Sequence, residues 1–219
     1  MIGCYTSIRL NMQLIFDFDG TLVDSFDSVV KIFNILAEEF SFKKISVTEL
    51  DDLKELNSKE LVKHLKIPLY KIPMVLINAR KYLNGEIPRL ASFLTLPQVL
   101  QQLHDANYSL GIISSNSLHN VTTWLDLNNM CSLFDFIHTD SSYFGKQRII
   151  NKILKQYDAD KTQTFYIGDE ARDIEAAKQS GINSIAVTWG FNSEKLLLQH
   201  KPHFIARKPE DLLMICGLK

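Results

Sequence analysis

Cysteine is scarce in this chain of 219 residues: Cys4, Cys131 and Cys216 lie far apart, and none forms a CxxC pair. That spacing argues against a disulfide framework and for a reducing, cytoplasmic setting. Charge of one sign is missing too. Lys and Arg total 24 against 25 Asp and Glu, a net of −1, so nothing favours general attraction to nucleic acid or to an anionic membrane. No apolar run reaches the roughly 20 residues of a membrane span. The six histidines never fall in an HxH or HxxxH spacing, which leaves zinc chemistry without a motif. Residues 1–11 lack the basic start and longer apolar stretch of a secretory signal, and Ile2 excludes N-myristoylation. We expect residues 1–11 to be a functionally silent extension, with Met12 an alternative start just before the first strand. No internal repeat or low-complexity segment is present.

With 46% hydrophobic and 22% charged residues, the chain can bury a sizeable core, and its length fits one α/β domain or a core with a modest insertion. The second half alternates between strand-like and helix-like segments. Residues 108–114 read as a buried strand, 117–128 as a helix entered through Asn116 or Ser117, and 134–138 as a short strand. Residues 146–157 carry Ile149, Ile150, Ile153 and Leu154 at helical spacing. An apolar run at 164–167 ends in Gly168-Asp169, and a helix follows through Lys178 to a stop near Gly181. Strands are expected at 184–188 and 203–206, and Pro209-Glu210-Asp211 opens a terminal helix. Repeated β-then-α units of this kind predict a parallel, doubly wound sheet.

Between Ser25 and Arg89 the strand signal vanishes. Val29, Val30, Phe33, Leu36 and Ala37 form one helical stripe, and clusters around Leu50–Leu56, Leu61–Leu65 and Val75–Leu83 suggest three shorter helices, punctuated by Pro68 and Pro73. The expected organisation is therefore a Rossmann-like core from residues 12–26 and 90–219, interrupted by an all-helical cap at 27–89.

The chemistry concentrates at the ends of the apolar runs. Leu14-Ile15-Phe16 leads straight into Asp17-Phe18-Asp19-Gly20-Thr21-Leu22-Val23-Asp24-Ser25, a buried strand whose carboxyl end opens into a site. Two carboxylates a few ångströms apart repel by roughly 4 kcal/mol at an effective dielectric of about 20, so the pair needs a proton or a cation. A second apolar strand ends in Ser114-Ser115-Asn116. Lys146 follows Gly145 at a helix start, and Gly168-Asp169-Glu170-Ala171-Arg172-Asp173 sets two aspartates four apart before a small-residue helix.

These four signals, in this order and with a helical block after the first, resemble the four motifs of the haloacid dehalogenase (HAD) superfamily. The second carboxylate and the position of the block resemble its phosphoglycolate-phosphatase-like branch with a type 1 helical cap. The resemblance implies a Mg²⁺-dependent phosphatase acting on a small phosphorylated metabolite. Asp17 would be the nucleophile and Asp19 the acid and base. Ser115, Asn116 and Lys146, with backbone N–H groups after Asp17 and near Asn116, would hold the phosphoryl group. Asp17, the carbonyl of Asp19 and Asp169 would hold the metal, with Asp173 or Glu170 a supporting or alternative contact. Two alternatives remain open from the sequence: a β-phosphoglucomutase-like phosphotransferase, and a catalytically silent HAD-fold binding protein. The later cap is basic through Lys63, Lys66, Lys71, Arg80, Lys81 and Arg89, one of which could meet a second anionic group on the substrate. His119 is expected to be a partly exposed helix residue, and Trp189-Gly190-Phe191 a packed turn. The substrate itself and the oligomeric state are not written in any motif.

Overall fold

A computed structural model describes residues 13–139 and 145–218; the expected 1–11 extension and Met12 lie outside the described residues. Six parallel strands form one sheet in the order β3-β2-β1-β4-β5-β6. They are β1 Gln13–Phe16, β2 Ser109–Ser114, β3 Phe136–Thr139, β4 Thr164–Gly168, β5 Asn183–Val187 and β6 Phe204–Ala206. The helices among the described residues that matter here are α1 Phe26–Phe40, α2 Leu50–Lys54, α3 Ser58–His64, α4 Ile72–Glu86, α5 Leu96–Asp105, α6 Leu118–Leu127, α7 Lys146–Gln156, α8 Ala171–Ser180, α9 Glu194–Gln199 and α10 Asp211–Ile215.

The central strand explains the layers. All four residues of β1 are buried, as expected of a parallel strand covered on both faces. Leu14 and Phe16 point into one cluster with Leu100 and Leu103 of α5 and Val121 and Trp124 of α6. Ile15 points the other way, into a cluster with Ile150 and Ile153 of α7 and Ala177 of α8. The period of two along the strand thus distributes the helices over both sides. Phe16 is in register with Ile112 of β2 and Ile167 of β4. From β1 the chain winds outward through β2 and β3 on one side and then crosses to β4 on the other, so the carboxyl end of β1 is the switch point where a doubly wound sheet opens a crevice.

The expected parallel α/β sheet is present, the predicted strands recur within two residues, and the predicted helices recur with ends shifted by up to three. α5 and α9 were not anticipated. Leu96, Val99, Leu100 and Leu103 are buried at helical spacing, but Pro97 reads as a breaker. It sits in the first turn, where its missing N–H has no intrahelical partner to lose. Pro73 likewise falls inside the first turn of α4 rather than before it.

α1 to α4 occupy the stretch between β1 and α5, and no strand falls among them. Ile32 and Leu36 of α1 pack with Leu65, Val75, Leu83 and Ile87. Asn34 pins the loop after α1 by donating to the Ile45 carbonyl at 3.0 Å and accepting from its N–H at 2.7 Å. The chain leaves β1 through a tight turn in which the Phe18 carbonyl accepts from Leu22 and Val23. Phe18 is fully buried edge-on against Trp124, with ring centroids 5.6 Å apart, and the Trp124 indole N–H donates to the Leu90 carbonyl at 2.9 Å. Trp124 therefore ties the turn bearing the acidic pair to the segment that re-enters the core. Truncation of such a fully buried aromatic costs about 3–5 kcal/mol. Urea unfolding of Trp124→Ala should show a loss of that order, and Trp124→Phe a smaller one.

Candidate active site

The polar residues at the carboxyl ends of β1, β2 and β4 converge. The Asp17 N–H donates to the Ile167 carbonyl at 2.8 Å, which carries the β1–β4 pairing one residue past the strand. Its carboxylate is buried, and Oδ2 accepts from Lys146 Nζ at 2.5 Å. The same ammonium donates to Asp173 Oδ1 and lies 5.4 Å from the centre of the Tyr166 ring. Carboxylate oxygens of Asp17, Asp169 and Asp173 all lie within 4.8 Å of one another.

Asp169 is wholly buried. Its Oδ1 accepts from the Thr21 hydroxyl at 2.6 Å, and its Oδ2 accepts from the Phe191 N–H at 2.7 Å. Two glycines make room for it. Gly20, at φ 76°, and Gly190 would each bring a Cβ to 2.3 Å from Asp169 Oδ2. Trp189 closes the same corner by donating its indole N–H to the Thr21 carbonyl at 3.1 Å. Trp189-Gly190-Phe191, expected as a packed turn, is packed and also supplies a donor to Asp169. The signal for it was a glycine following a strand end, which marks a close backbone approach.

Asp173 faces both ways, since its Oδ2 accepts from the Glu170 N–H at 3.0 Å and caps α8. Glu170 stands apart from the carboxylate cluster. Its Oε1 accepts from Arg172 Nε at 2.9 Å, and its Oε2 accepts from the Ser58 hydroxyl of α3 at 3.5 Å. Of the two auxiliary contacts anticipated, Asp173 joins the cluster and Glu170 turns to the helical block.

Asp19 has a different neighbourhood. Asn116 donates its Nδ2 to Asp19 Oδ2 at 2.9 Å, while Oδ1 is buried with no hydrogen bond among the described residues. The amide of Asn116 is thus directed at Asp19, and its backbone N–H donates to Ser114 Oγ at 2.9 Å. Ser115 is half-buried beside them, and its carbonyl accepts from Arg80 Nε of α4 at 2.7 Å. Asp19, Ser115 and Asn116 form the floor of a cavity of about 200 Å³, whose wall includes Val30 and Phe33 of α1, Leu76 and Arg80 of α4, and Arg172. Among the six basic residues of the later helical block, Arg80 is the one that lines this cavity. His119 is exposed on α6, as expected.

The electrostatics follow from burial. Desolvation, then the charge on Asp17, pushes Asp19 up to about 6, against the polar side chains of Asn116 and Ser25. Desolvation raises Asp169 well above the usual carboxylate range, with Glu170, Asp17 and Asp173 adding to it. Asp173 rises to about 6 through desolvation, although Lys146 pulls it down. Burial lowers the Lys146 pKa, but Asp17 and Asp173 more than compensate, so it stays a firm cation. Three buried carboxylates around one ammonium leave a surplus of negative charge, and an all-oxygen donor set suits a hard divalent cation such as Mg²⁺.

Residues 14–187 match the model of the haloacid dehalogenase-like hydrolase family. The chain is 34% identical over 200 residues to a phosphoglycolate phosphatase of Synechococcus elongatus, covering 91% of this chain and 94% of the relative. It is 26% identical over 209 residues to the pyrophosphatase PpaX of Anoxybacillus flavithermus, covering 94% and 96%. A haloacid dehalogenase-like hydrolase from Streptococcus pneumoniae shares the fold, with a TM-score of 0.79 at 23% identity over 94% of this chain and 98% of that one.

The charge surplus yields a prediction that needs no turnover. A ligand bound only by the native state at 100 times its Kd stabilises by about 2.7 kcal/mol. Mg²⁺ should raise the Tm relative to chelator, and Asp169→Asn should abolish most of that increase. Equal Tm values with Mg²⁺ and chelator would exclude a metal at this cluster.

Proposed function

The chain belongs to the haloacid dehalogenase-like hydrolase family and is a phosphatase, and we propose that it hydrolyses a small phosphomonoester through an aspartyl-phosphate on Asp17, with Mg²⁺ as cofactor. Phosphoglycolate is the first candidate substrate, from the Synechococcus elongatus relative, and sugar phosphates are the second. The observation that carries this reading is the pair Asp17 and Asp19. They are two residues apart, yet one is held by a buried ammonium and the other by a neutral amide.

Asp17 attacks phosphorus with a carboxylate oxygen, forming a P–O bond as the bond to the leaving oxygen breaks. Asp19, pushed up to about 6 by burial, delivers a proton to that leaving oxygen. A water then attacks the phosphorus of the aspartyl-phosphate and gives its proton to Asp19. The Asp17–phosphorus bond breaks and inorganic phosphate forms. Asp17, Asp169 and the Asp19 carbonyl would hold Mg²⁺, with Asp173 an alternative carboxylate beside them; when bound it offsets the repulsion between Asp17 and the phosphate. Lys146 and the Ser115 hydroxyl bind equatorial phosphoryl oxygens, while Asn116 serves chiefly to hold Asp19. Asp173 keeps Lys146 at Asp17.

In this reading residues 27–89 act as a cap over the core formed by 12–26 and 90–219, and the cavity between them receives the leaving group and excludes water. Among the described residues no helix is long and apolar enough to cross a membrane. Scarce cysteine supports a cytoplasmic setting.

Phosphate release across phosphoglycolate, sugar phosphates, nucleotides and pyrophosphate, with Mg²⁺ and with chelator, tests the proposal. Asp17→Asn should abolish release, and Asp19→Asn should lower kcat/KM on an alkyl ester by roughly 10²–10⁴. Release that survives Asp17→Asn would overturn the covalent route. Absence of release from every ester, together with isomerisation of a sugar phosphate given a bisphosphate activator, would assign a mutase instead.

A further inference from the structure

A chain of three asparagines links Asp19 to the helical block. Asn116 donates Nδ2 to Asp19 Oδ2 at 2.9 Å, and its own Oδ1 accepts twice, from the Ser117 N–H and from Asn120 Nδ2, both at 2.8 Å. Asn120, on α6, is buried and saturated. Its second Nδ2 proton goes to the Arg80 carbonyl at 3.1 Å, and its Oδ1 accepts from Asn84 Nδ2 at 2.8 Å. Arg80 and Asn84 are one turn apart on α4. The same helix reaches the β2 end again through Arg80 Nε and the Ser115 carbonyl.

An asparagine amide fits either way round by shape, so only its partners decide which end points where. Two donors converge on Asn116 Oδ1, which leaves Nδ2 for Asp19. Asp19 Oδ1 is buried with no hydrogen bond among the described residues, so the donation from Asn116 Nδ2 to Oδ2 is what fixes the carboxyl where Asp19 lines the cavity.

We infer that Asn120 is a positioning residue: seated against α4, it orients Asn116, and through the Asn116 amide it holds the carboxyl of Asp19 in place at the cavity. Docking of the helical block and readiness of the acid are then a single event. The inference rests on Asp19 acting as the general acid.

In Asn120→Asp the side chain keeps its shape but offers the Arg80 carbonyl and Asn116 Oδ1 no amide donor. Asn116 then gains by turning its Nδ2 to the new carboxylate, which leaves its Oδ1 facing Asp19. The donor that fixed the orientation of the acid is lost. A leaving group that departs without a proton is indifferent to this, and an alkoxide is not. The measurement is kcat/KM, which ends with departure of the leaving group, for two esters. One is p-nitrophenyl phosphate; the other is 2-phosphoglycolate or glycerol 3-phosphate, whichever the wild type hydrolyses faster.

Asp19→Asn is the reference and should lose far more on the alkyl ester than on the nitrophenyl ester. Asn120→Asp should follow it, with roughly a tenfold loss on the alkyl ester and less than threefold on the nitrophenyl ester, as expected when part of a general-acid contribution is removed. Asn84→Ala alters an exposed side chain and carries the test if Asn120→Asp does not fold. It should shift the same ratio two- to threefold. Equal losses on both esters in Asn120→Asp, or an unchanged ratio in Asn84→Ala, would mean a structural role only and overturn the inference. A wild type inert on both esters, or an Asp19→Asn variant without leaving-group selectivity, would instead overturn the phosphatase mechanism on which it rests.

Discussion

Three buried carboxylates and one buried ammonium, which pairs with two of them, meet at the carboxyl end of β1, and much of the surrounding architecture serves to make that tolerable. Removing charges from water costs several kcal/mol per ion unless nearby partners replace the lost hydration. Here the replacements are specific. Asp17 and Asp173 share Lys146, Asp173 also accepts from a helix-start N–H, and Asp169 takes a hydroxyl and a backbone N–H. Gly20 and Gly190 exist in the space where any side chain would strike Asp169. Even so, Asp169 and Asp173 are held above the usual carboxylate range, chiefly by desolvation. Under the proposed function a divalent cation would offset that cost, and the energy of holding the site open comes from the well-packed sheet and helices beneath.

The helical block is joined to that site on two sides. On one, Lys54 and Leu56 offer carbonyls to Ser193 and Asn192, and Phe26 packs on Phe191 with ring centroids 5.5 Å apart. On the other, Arg80 and Asn84 engage the β2 end and α6. Between these contacts α1 divides its apolar stripe. Leu36 and Ala37 are buried among neighbouring helices, whereas Val29, Val30 and Phe33 are only partly covered and line the cavity. A stripe that looks uniform in sequence therefore does two jobs, packing the block and lining the cavity.

How much of this was legible follows from the range of each interaction. The strands, the helix starts and Asp17, Asp19, Lys146 and Asp169 were readable because apolar runs ending in charge are local signals. Asp173 was singled out, but its grip on Lys146 depends on α7 and α8 lying side by side, which no spacing reports. Thr21, Phe191 and Asn120 act on partners brought near by the fold; Thr21 and Asp169 are 148 positions apart. The basic cap illustrates the same point. Six cations cluster in sequence, yet only Arg80 lines the cavity, and Lys71 instead donates to the Phe40 carbonyl at 2.7 Å. Helix charge counts describe composition; which face meets a ligand is set by packing.

Asp17 and Asp19 show how two identical side chains at i and i+2 come to sit in different surroundings. Phe18 between them is driven fully into the core against Trp124, which fixes the backbone and leaves both carboxylates at the open edge. From there their partners differ in charge. Asp17 accepts from the buried ammonium of Lys146. Asp19 meets a neutral amide in a desolvated corner, which favours a retained proton. The two carboxylates are thus separated by environment alone, and the environment of each comes from a different segment: α7 for Asp17, and the turn between β2 and α6, backed by α6 and α4, for Asp19.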